Sequence, residues 1–310
     1  MIGRNDQSTM LCLLDHFKSF DIERVAPVET VRLHGRSGGN SAGPPLLLLH
    51  GHPQSHVMWH CVAPDLARKF FVVMMDLRGY GDSGRPLADE SHRVYSKREM
   101  AQDALAAMKH HGFDRFGVLA HDRGARVAHR LAADLPDAVE RLMLLDIAPT
   151  LAMYNNTTQA FAKAYWHWFF LIQPPPLPEA LIDSDPVRFV RSVMGNRHAG
   201  LSAFAPEALA EYERCAQIAG SGHSIAEDYR ASASIDLEHD RADVLSANKI
   251  DQPLRVLWGE EGIVGKCFDV LALWRERAHQ VSGRSLPCGH YIAEELPAVL
   301  LDEAFKFFRS

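Results

Sequence analysis

The sequence predicts an α/β fold in which helices flank a mostly parallel sheet. Three features predict it: apolar runs of strand length, helix-length stretches between them, and polar or glycine residues at the end of each run. The runs lack apolar–polar alternation, so they indicate strands that are buried on both faces. Strands that alternate with helices form parallel sheets through right-handed crossovers. The five runs lie at residues 46–50, 70–75, 116–120, 142–146 and 254–258.

Two helices are expected between these strands, at residues 98–111 and 124–135. The first has apolar residues at helical spacing, and the second follows the third apolar run with little delay. A cluster of glycines and prolines at residues 35–45 predicts a loop. Residues 1–27 are mixed in character and predict a short helix or a loose leader.

The length of the chain allows more than one domain organisation. A chain of 310 residues, 47% of them hydrophobic, can form two domains or one large α/β domain with an insertion. Residues 150–249 are rich in aromatic and helix-forming residues, and no clear strand interrupts them. We therefore predict a helical cap at residues 150–249, inserted after the strand that ends near Asp146. Residues 1–149 and 250–310 would form the core.

Composition excludes several classes of partner. The net charge of −6 gives no electrostatic footprint for nucleic acid or for an anionic membrane. No apolar run approaches the ~18 residues of a membrane-spanning helix. The cysteine count is odd and no pair has C-x-x-C spacing, which favours free thiols in a reducing, cytoplasmic location. The five cysteines are Cys12, Cys61, Cys215, Cys267 and Cys288.

The segment Ala-His-Asp-Arg-Gly at residues 120–124 has the pattern of a nucleophile elbow. It follows the third apolar run and opens a helix, and small residues flank the central position as such a strained strand-to-helix turn requires. Asp122 holds the nucleophile position, where many hydrolases have serine. The alternative is that Asp122 only caps the helix that follows.

Three other segments favour the catalytic interpretation. The first apolar run ends in His-Gly-His-Pro at residues 50–53, where a backbone N–H is well placed to stabilise an oxyanion. Asp146 ends the fourth run, and His290 lies near the C-terminus. The chain order Asp122, Asp146, His290 is the order of nucleophile, acid and histidine in α/β hydrolases.

The chain from about residue 28 resembles the haloacetate and fluoroacetate dehalogenases of the α/β-hydrolase superfamily. The resemblance implies that Asp122 is the nucleophile, Asp146 the triad acid and His290 the base. It also implies a carboxylate-binding pair, Arg123 and Arg126, and three donors to the leaving halide, His167, Trp168 and Tyr229. It makes a homodimer plausible. The segments that carry it are residues 48–59, 76–83, 120–126, 145–150, 165–168, 227–231 and 289–290.

These residue types suit the displacement of halide from a 2-haloacid. An ionised aspartate can attack the α-carbon and form an ester. Two guanidinium groups offset the repulsion between the aspartate and an anionic substrate, and they orient the carboxylate. Imidazole, indole and phenol groups can all donate hydrogen bonds to the departing halide.

The second half of the reaction would hydrolyse this ester. His290 would take a proton from water, while Asp146 orients the imidazole. The backbone N–H groups of His52 and Arg123 would stabilise the oxyanion. The scheme needs no metal and no organic cofactor, and the adjacent histidines at 110–111 point to different helix faces, which disfavours a metal site there.

The sequence departs from the family at two positions. The family often has a tryptophan in the cap between the halide-site pair and the cap tyrosine. This chain has none there, and the corresponding stretch is residues 193–198, Val-Met-Gly-Asn-Arg-His. The second departure is His52, where a bulky apolar residue is common. Both departures predict a roomier or more polar pocket.

Other functions remain open from the sequence. An epoxide hydrolase uses the same triad, with tyrosines such as Tyr154, Tyr165 or Tyr229 to protonate the epoxide oxygen. A non-catalytic binding protein of the same fold is a second alternative. The two arginines, three residues apart, could instead form a surface salt-bridge pair, and residues 166–168 could serve only to pack the cap.

Overall fold

The computed structural model describes residues 14–26 and 30–309, with an eight-stranded sheet at its centre. The strand order is β1-β2-β4-β3-β5-β6-β7-β8; β2 pairs antiparallel with β1 and β4, and the other pairs are parallel. This confirms the predicted α/β fold. The strands are β1 Lys18–Val25, β2 Thr30–Gly39, β3 Pro45–Leu49, β4 Phe71–Met75, β5 Phe116–His121, β6 Val139–Leu145, β7 Leu254–Gly259 and β8 Val281–Leu286.

The helices divide into those of the core and those between β6 and β7. Core helices are α1 Ala63–Leu66, α2 Lys97–His110, α3 Asp122–Asp134, α12 Ile263–Cys267, α13 Val270–Arg275, α14 Ile292–Glu295 and α15 Pro297–Phe308. Between β6 and β7 lie α4 Thr150–Asn155, α5 Gln159–Ala164, α6 Trp166–Leu171, α7 Leu177–Ser184, α8 Pro186–Gly195, α9 Pro206–Ala216, α10 Ser221–Ala233 and α11 Ile235–Leu245. We propose that this helical stretch, residues 150–249, is the cap segment.

The central strands divide the core into two apolar clusters, one on each face of the sheet. In β3, Leu47 and Leu49 belong to the cluster that includes residues of α2 and α3, whereas Leu46 and Leu48 belong to the cluster that includes residues of α15. All four leucines are fully buried. Both faces of the strand are therefore apolar, which explains why its sequence has no alternation.

The structure corrects two predictions near the N-terminus. Part of the expected helix or leader at residues 1–27 is strand β1, whereas residues 1–13 and 27 lie outside the described part of the chain. Of the expected loop at 35–45, residues 35–39 belong to β2 and Pro45 begins β3, so the loop is confined to residues 40–44. A Cβ on Gly35 would lie 2.3 Å from the Met74 carbonyl oxygen and 2.5 Å from the Phe20 ring, so close strand packing requires this glycine.

Strand β8 was missed because its sequence has no apolar run. It lies at one edge of the sheet, and its partly exposed residues alternate with more exposed ones before the buried Leu286. Edge strands are half-solvated and can be polar, so composition alone did not reveal it.

The cysteines of the described chain carry free thiols, as predicted: Cys61, Cys215, Cys267 and Cys288. Cys12 lies outside the described residues. Within the described ranges, none of the helices combines the length and apolarity that a membrane crossing requires.

Replacing Gly35 by alanine is expected to lower the free energy of unfolding by about 1–3 kcal/mol, because the new methyl group would overlap β4. Urea denaturation measures this change. Gly195→Ala is the matched control, since a Cβ there would lie 3.5 Å from the nearest atom of Leu201, and a shift of less than about 1 kcal/mol is expected. Equal stability of Gly35→Ala and the wild type would contradict this account of β2.

Candidate active site

Asp122 lies at a tight turn between β5 and α3. Its φ is +44°, in the left-handed region that residues other than glycine rarely adopt. A Cβ on Gly124 would lie 2.4 Å from the His50 carbonyl oxygen, and one on Gly51 would lie 2.5 Å from the Asp122 Cβ. The backbones approach too closely for larger residues, as a nucleophile elbow requires.

The structure brings Asp122, Asp146 and His290 together. His290 Nδ1 lies 2.6 Å from Asp146 Oδ2, and its Nε2 lies 4.0 Å from Asp122 Oδ2. The other oxygen of Asp146 accepts a hydrogen bond of 3.0 Å from the Gly259 N–H. Asp146 is therefore held on both sides, and the imidazole is oriented with its second nitrogen toward Asp122.

The Asp122 carboxylate is buried and strongly favoured in its ionised form. Burial alone would raise its pKa, but the electrostatic influence of His290 and of the adjacent arginines outweighs burial and holds the pKa well below its usual range. Its Oδ1 accepts a hydrogen bond of 3.0 Å from the His52 backbone N–H. Among the described residues, no hydrogen bond joins the Arg123 backbone N–H to Asp122, so this second oxyanion donor stays a prediction.

Arg123 and Arg126 lie near the start of α3 and are buried, which rules out a surface salt-bridge pair. Nε and Nη2 of Arg123 donate to the Asp228 carboxylate at 2.8 and 2.9 Å. Arg126 Nη1 donates to the Thr150 hydroxyl at 2.8 Å. Arg123 Nη1 and Arg126 Nε remain buried without a hydrogen-bond partner. Each arginine therefore retains one donor for an anion.

Asp228 is a site residue that sequence reasoning did not identify. Besides Arg123, it accepts hydrogen bonds from the Tyr80 hydroxyl at 2.7 Å and from the Lys97 ammonium. Burial would raise the pKa of Asp228, but Arg123 and Lys97 together lower it well below its usual value. The only signal in the sequence was its position next to Tyr229. Its partners come from distant segments, so no local pattern revealed its role.

The three predicted halide donors also converge. The His167 and Tyr229 rings are 5.8 Å apart between centroids, and the Trp168 and Tyr229 rings are 6.3 Å apart. Trp168 Nε1 is buried without a hydrogen-bond partner. The Arg123 guanidinium lies 4.1 Å above the Tyr229 ring, and that of Arg126 lies 4.7 Å above the Trp168 ring. The arginine pair and the three donors therefore line one region.

Two histidines in this region, His52 and His167, are neutral. Burial lowers the pKa of His52 to about 3 and that of His167 well below its ordinary value, with the Arg197 charge adding to the effect on His167. The His52 ring lies 5.5 Å from the Tyr229 ring and 6.1 Å from the His167 ring. His52 thus places a polar but uncharged ring beside the three donors, in line with the predicted polar pocket.

The tyrosines that an epoxide hydrolase would need lie in the same region. The Tyr154 ring is 5.1 Å from Trp168, and its hydroxyl is buried without a hydrogen-bond partner. The Tyr165 ring is 5.4 Å from His167. The triad and the aromatic residues are therefore compatible with either reaction, and only the two arginines favour an anionic substrate.

Possible metal ligands within the described chain form two groups, and both are already engaged. In the first, made of His34, His56 and Asp76, Asp76 Oδ1 accepts hydrogen bonds from the backbone and the ring of His56. In the second, made of Glu179, His223 and Glu227, Arg230 pairs with both glutamates. The triad residues belong to neither group.

Comparison with known proteins points to hydrolases. The chain matches the model of the alpha/beta hydrolase fold over residues 44–295. It is 40% identical to a fluoroacetate dehalogenase of Burkholderia sp over 91% of each chain. It is 35% identical to a soluble epoxide hydrolase of Corynebacterium sp. (strain C12), over 91% of this chain and 96% of that one. The crystal structure of an α/β hydrolase from Nostoc sp PCC 7120 superposes with a TM-score of 0.91 at 52% identity, over 95% of this chain and 99% of that one.

Replacing Asp228 by asparagine is expected to reduce the free energy of unfolding by about 3–5 kcal/mol, because two buried cations lose their shared anion. Urea denaturation provides the measurement. The control is Asp302→Asn, which breaks an exposed ion pair with Lys306 and should shift stability by about 0.5 kcal/mol or less. If both variants are equally stable, Asp228 does not stabilise the site in this way.

Proposed function

Because the chain belongs to the α/β-hydrolase family, we propose that it hydrolyses small 2-haloacids, converting a haloacetate such as fluoroacetate to glycolate and halide. The observation that carries this proposal is the pair of buried arginines beside Asp122. Each of them keeps one N–H without a partner, and together they are suited to bind a substrate carboxylate.

In the first half-reaction, Asp122 attacks the α-carbon of the haloacid. A bond forms between its carboxylate oxygen and this carbon, and the carbon–halogen bond breaks as the halide leaves with the electron pair. His167, Trp168 and Tyr229 donate hydrogen bonds to the departing halide. Burial of these three side chains strengthens such bonds, because water competes less for the halide.

In the second half-reaction, His290 takes a proton from water, and the resulting hydroxide attacks the carboxyl carbon of Asp122. The His52 N–H, which already donates to Asp122 Oδ1, stabilises the oxyanion. Collapse of this intermediate breaks the bond between the acyl carbon and the ester oxygen, and the departing oxygen takes the proton back from His290. Glycolate is released, and the carboxyl group of Asp122 loses its proton to solvent and is restored as a carboxylate. Asp146 stabilises the charged imidazole throughout.

The second candidate is epoxide hydrolysis, favoured by the buried, unpartnered hydroxyl of Tyr154 and by the similarity to an epoxide hydrolase. In that reaction Asp122 would open the epoxide ring while a tyrosine protonates its oxygen. A neutral epoxide would leave the free donors of Arg123 and Arg126 buried without an anion, which is unfavourable. A non-catalytic function has no feature in its favour, since all three triad residues are in place.

Asp122→Ala is expected to reduce halide release from chloroacetate by more than about 10³-fold, since no other group can form the ester. Asp302→Asn, on the surface, is the control and should retain full activity. In a single turnover of the wild type in H₂¹⁸O, label should enter the Asp122 carboxylate first and glycolate only in later turnovers. Mass spectrometry that finds label in the first glycolate and none in the enzyme would reject the covalent mechanism.

Arg126→Met separates the two candidate functions. Loss of the guanidinium should raise KM for chloroacetate by about tenfold or more, because a charge-assisted hydrogen bond is lost. The KM for a neutral probe such as styrene oxide should not rise together with the KM for chloroacetate. Diol formation without halide release from any haloacid would favour the epoxide hydrolase.

A further inference from the structure

A third arginine lies near Asp122 and has no role in the proposed reaction. Arg197 belongs to the segment between α8 and the 3-10 turn Gly200–Ala203, within the stretch where the chain lacks the cap tryptophan. Its guanidinium lies 4.5 Å above the Tyr165 ring and close to the Tyr291 hydroxyl. Its Nε is buried without a hydrogen-bond partner, and within the described residues no carboxylate lies within 4.0 Å of it.

Two contacts place the Arg197 guanidinium near the site, because the Tyr165 ring below it lies 5.4 Å from the His167 ring and the Tyr291 ring beside it lies 4.9 Å from the His290 ring. Burial would lower its pKa, but the two tyrosines beside it and the carboxylates of Asp122 and Asp146 outweigh burial and raise it. Its positive charge in turn contributes to the lowered pKa values of His52 and His167. Arg197 is therefore a permanent positive charge near the triad.

Arg197 and Arg126 come from different elements of the fold. Arg126 lies near the start of α3. The segment of Arg197 packs over the turn that precedes His290, because a Cβ on Gly289 would lie 3.0 Å from the Cβ of His198. The Arg126 guanidinium lies 4.7 Å above the Trp168 ring and that of Arg197 lies 4.5 Å above the Tyr165 ring, and these two rings are 5.7 Å apart between centroids. Two guanidinium groups from different parts of the chain therefore lie over neighbouring aromatic rings.

Arg197 is only partly buried, but its Nε is fully buried, and a buried donor without a partner is costly because its desolvation is not repaid. A cation–π contact with Tyr165 offsets only part of that cost. Arg197 therefore has the same property as Arg126, a buried and unpaired Nε donor, and Arg126 is the candidate for the substrate carboxylate. The same physical argument assigns an anionic ligand group to Arg197.

We propose that Arg197 forms a second anion subsite, and that the enzyme prefers 2-haloacids that carry another carboxylate near the α-carbon, such as a 2-halosuccinate. This inference rests on the proposed dehalogenase function. One carboxylate binds Arg123 and Arg126 and the other binds Arg197, with the α-carbon between them and next to Asp122. The bonds formed and broken are unchanged, and the products are a 2-hydroxy dicarboxylate, halide and a proton.

Competition between matched substrates tests this subsite. 2-Chlorosuccinate and 2-chlorobutyrate have the same four-carbon chain and differ by the terminal carboxylate. We expect the wild type to prefer 2-chlorosuccinate in kcat/KM by about tenfold or more, and Arg197→Met to lose that preference mainly through KM. Arg197→Lys, which keeps the charge, should retain part of it. Halide release measures the substrate preference of the wild type and of both variants.

The control variant is Arg191→Met. Arg191 lies on α8, is half exposed and pairs with Glu213, so its loss should leave the substrate preference unchanged. Circular dichroism melting of each variant shows whether the fold is intact. A folded Arg197→Met variant that loses activity equally toward both substrates would mean that Arg197 only positions Tyr165, and would overturn the subsite.

The outcomes also separate the two proposals. Halide release from chloroacetate without any preference for 2-chlorosuccinate over 2-chlorobutyrate would refute the second subsite and leave the dehalogenase function in place. If no haloacid releases halide, the proposed function itself fails and the subsite fails with it.

Discussion

The site depends on the close crossing of three backbone segments at Asp122. The end of β5, the start of α3 and the loop after β3 meet where Gly51 and Gly124 leave no space for a side chain. Asp122 is held in the left-handed region as a result. This conformation presents its carboxylate to the His52 N–H on one side and to His290 on the other. The strain is therefore the means by which the fold orients its nucleophile.

A second constraint is the buried ion pair between Arg123 and Asp228, whose side chains are fully buried. It joins the residue after the nucleophile to helix α10 of the cap segment. Since Tyr229 follows Asp228, the ion pair also fixes the position of the Tyr229 ring over the Arg123 guanidinium. The geometry of the arginine pair and that of the aromatic side chains are consequently coupled, and a change in one would displace the other.

Arginines give the region around Asp122 a permanent positive charge. Burial lowers the pKa of His52 and of His121 to about 3, so these rings are neutral at physiological pH. Guanidinium groups stay protonated even when buried. The positive charge beside Asp122 therefore persists across the neutral range, although the whole chain carries a net charge of −6. For a small ligand, the local arrangement of charges outweighs the net charge of the protein.

The sequence by itself determined the parallel core of the sheet and the order of the triad, because these features have local causes. A strand buried on both faces must be apolar at every position, and a strained elbow must have small neighbours around its nucleophile. Only the tertiary structure decided the outer strands of the sheet. There, β2 depends on Gly35, which lies against β4, and β8 consists mostly of half-exposed residues. It alone also revealed Asp228 and Arg197. Their roles depend on the burial of charge beside partners that are distant in the chain, and no spacing in the sequence encodes such burial.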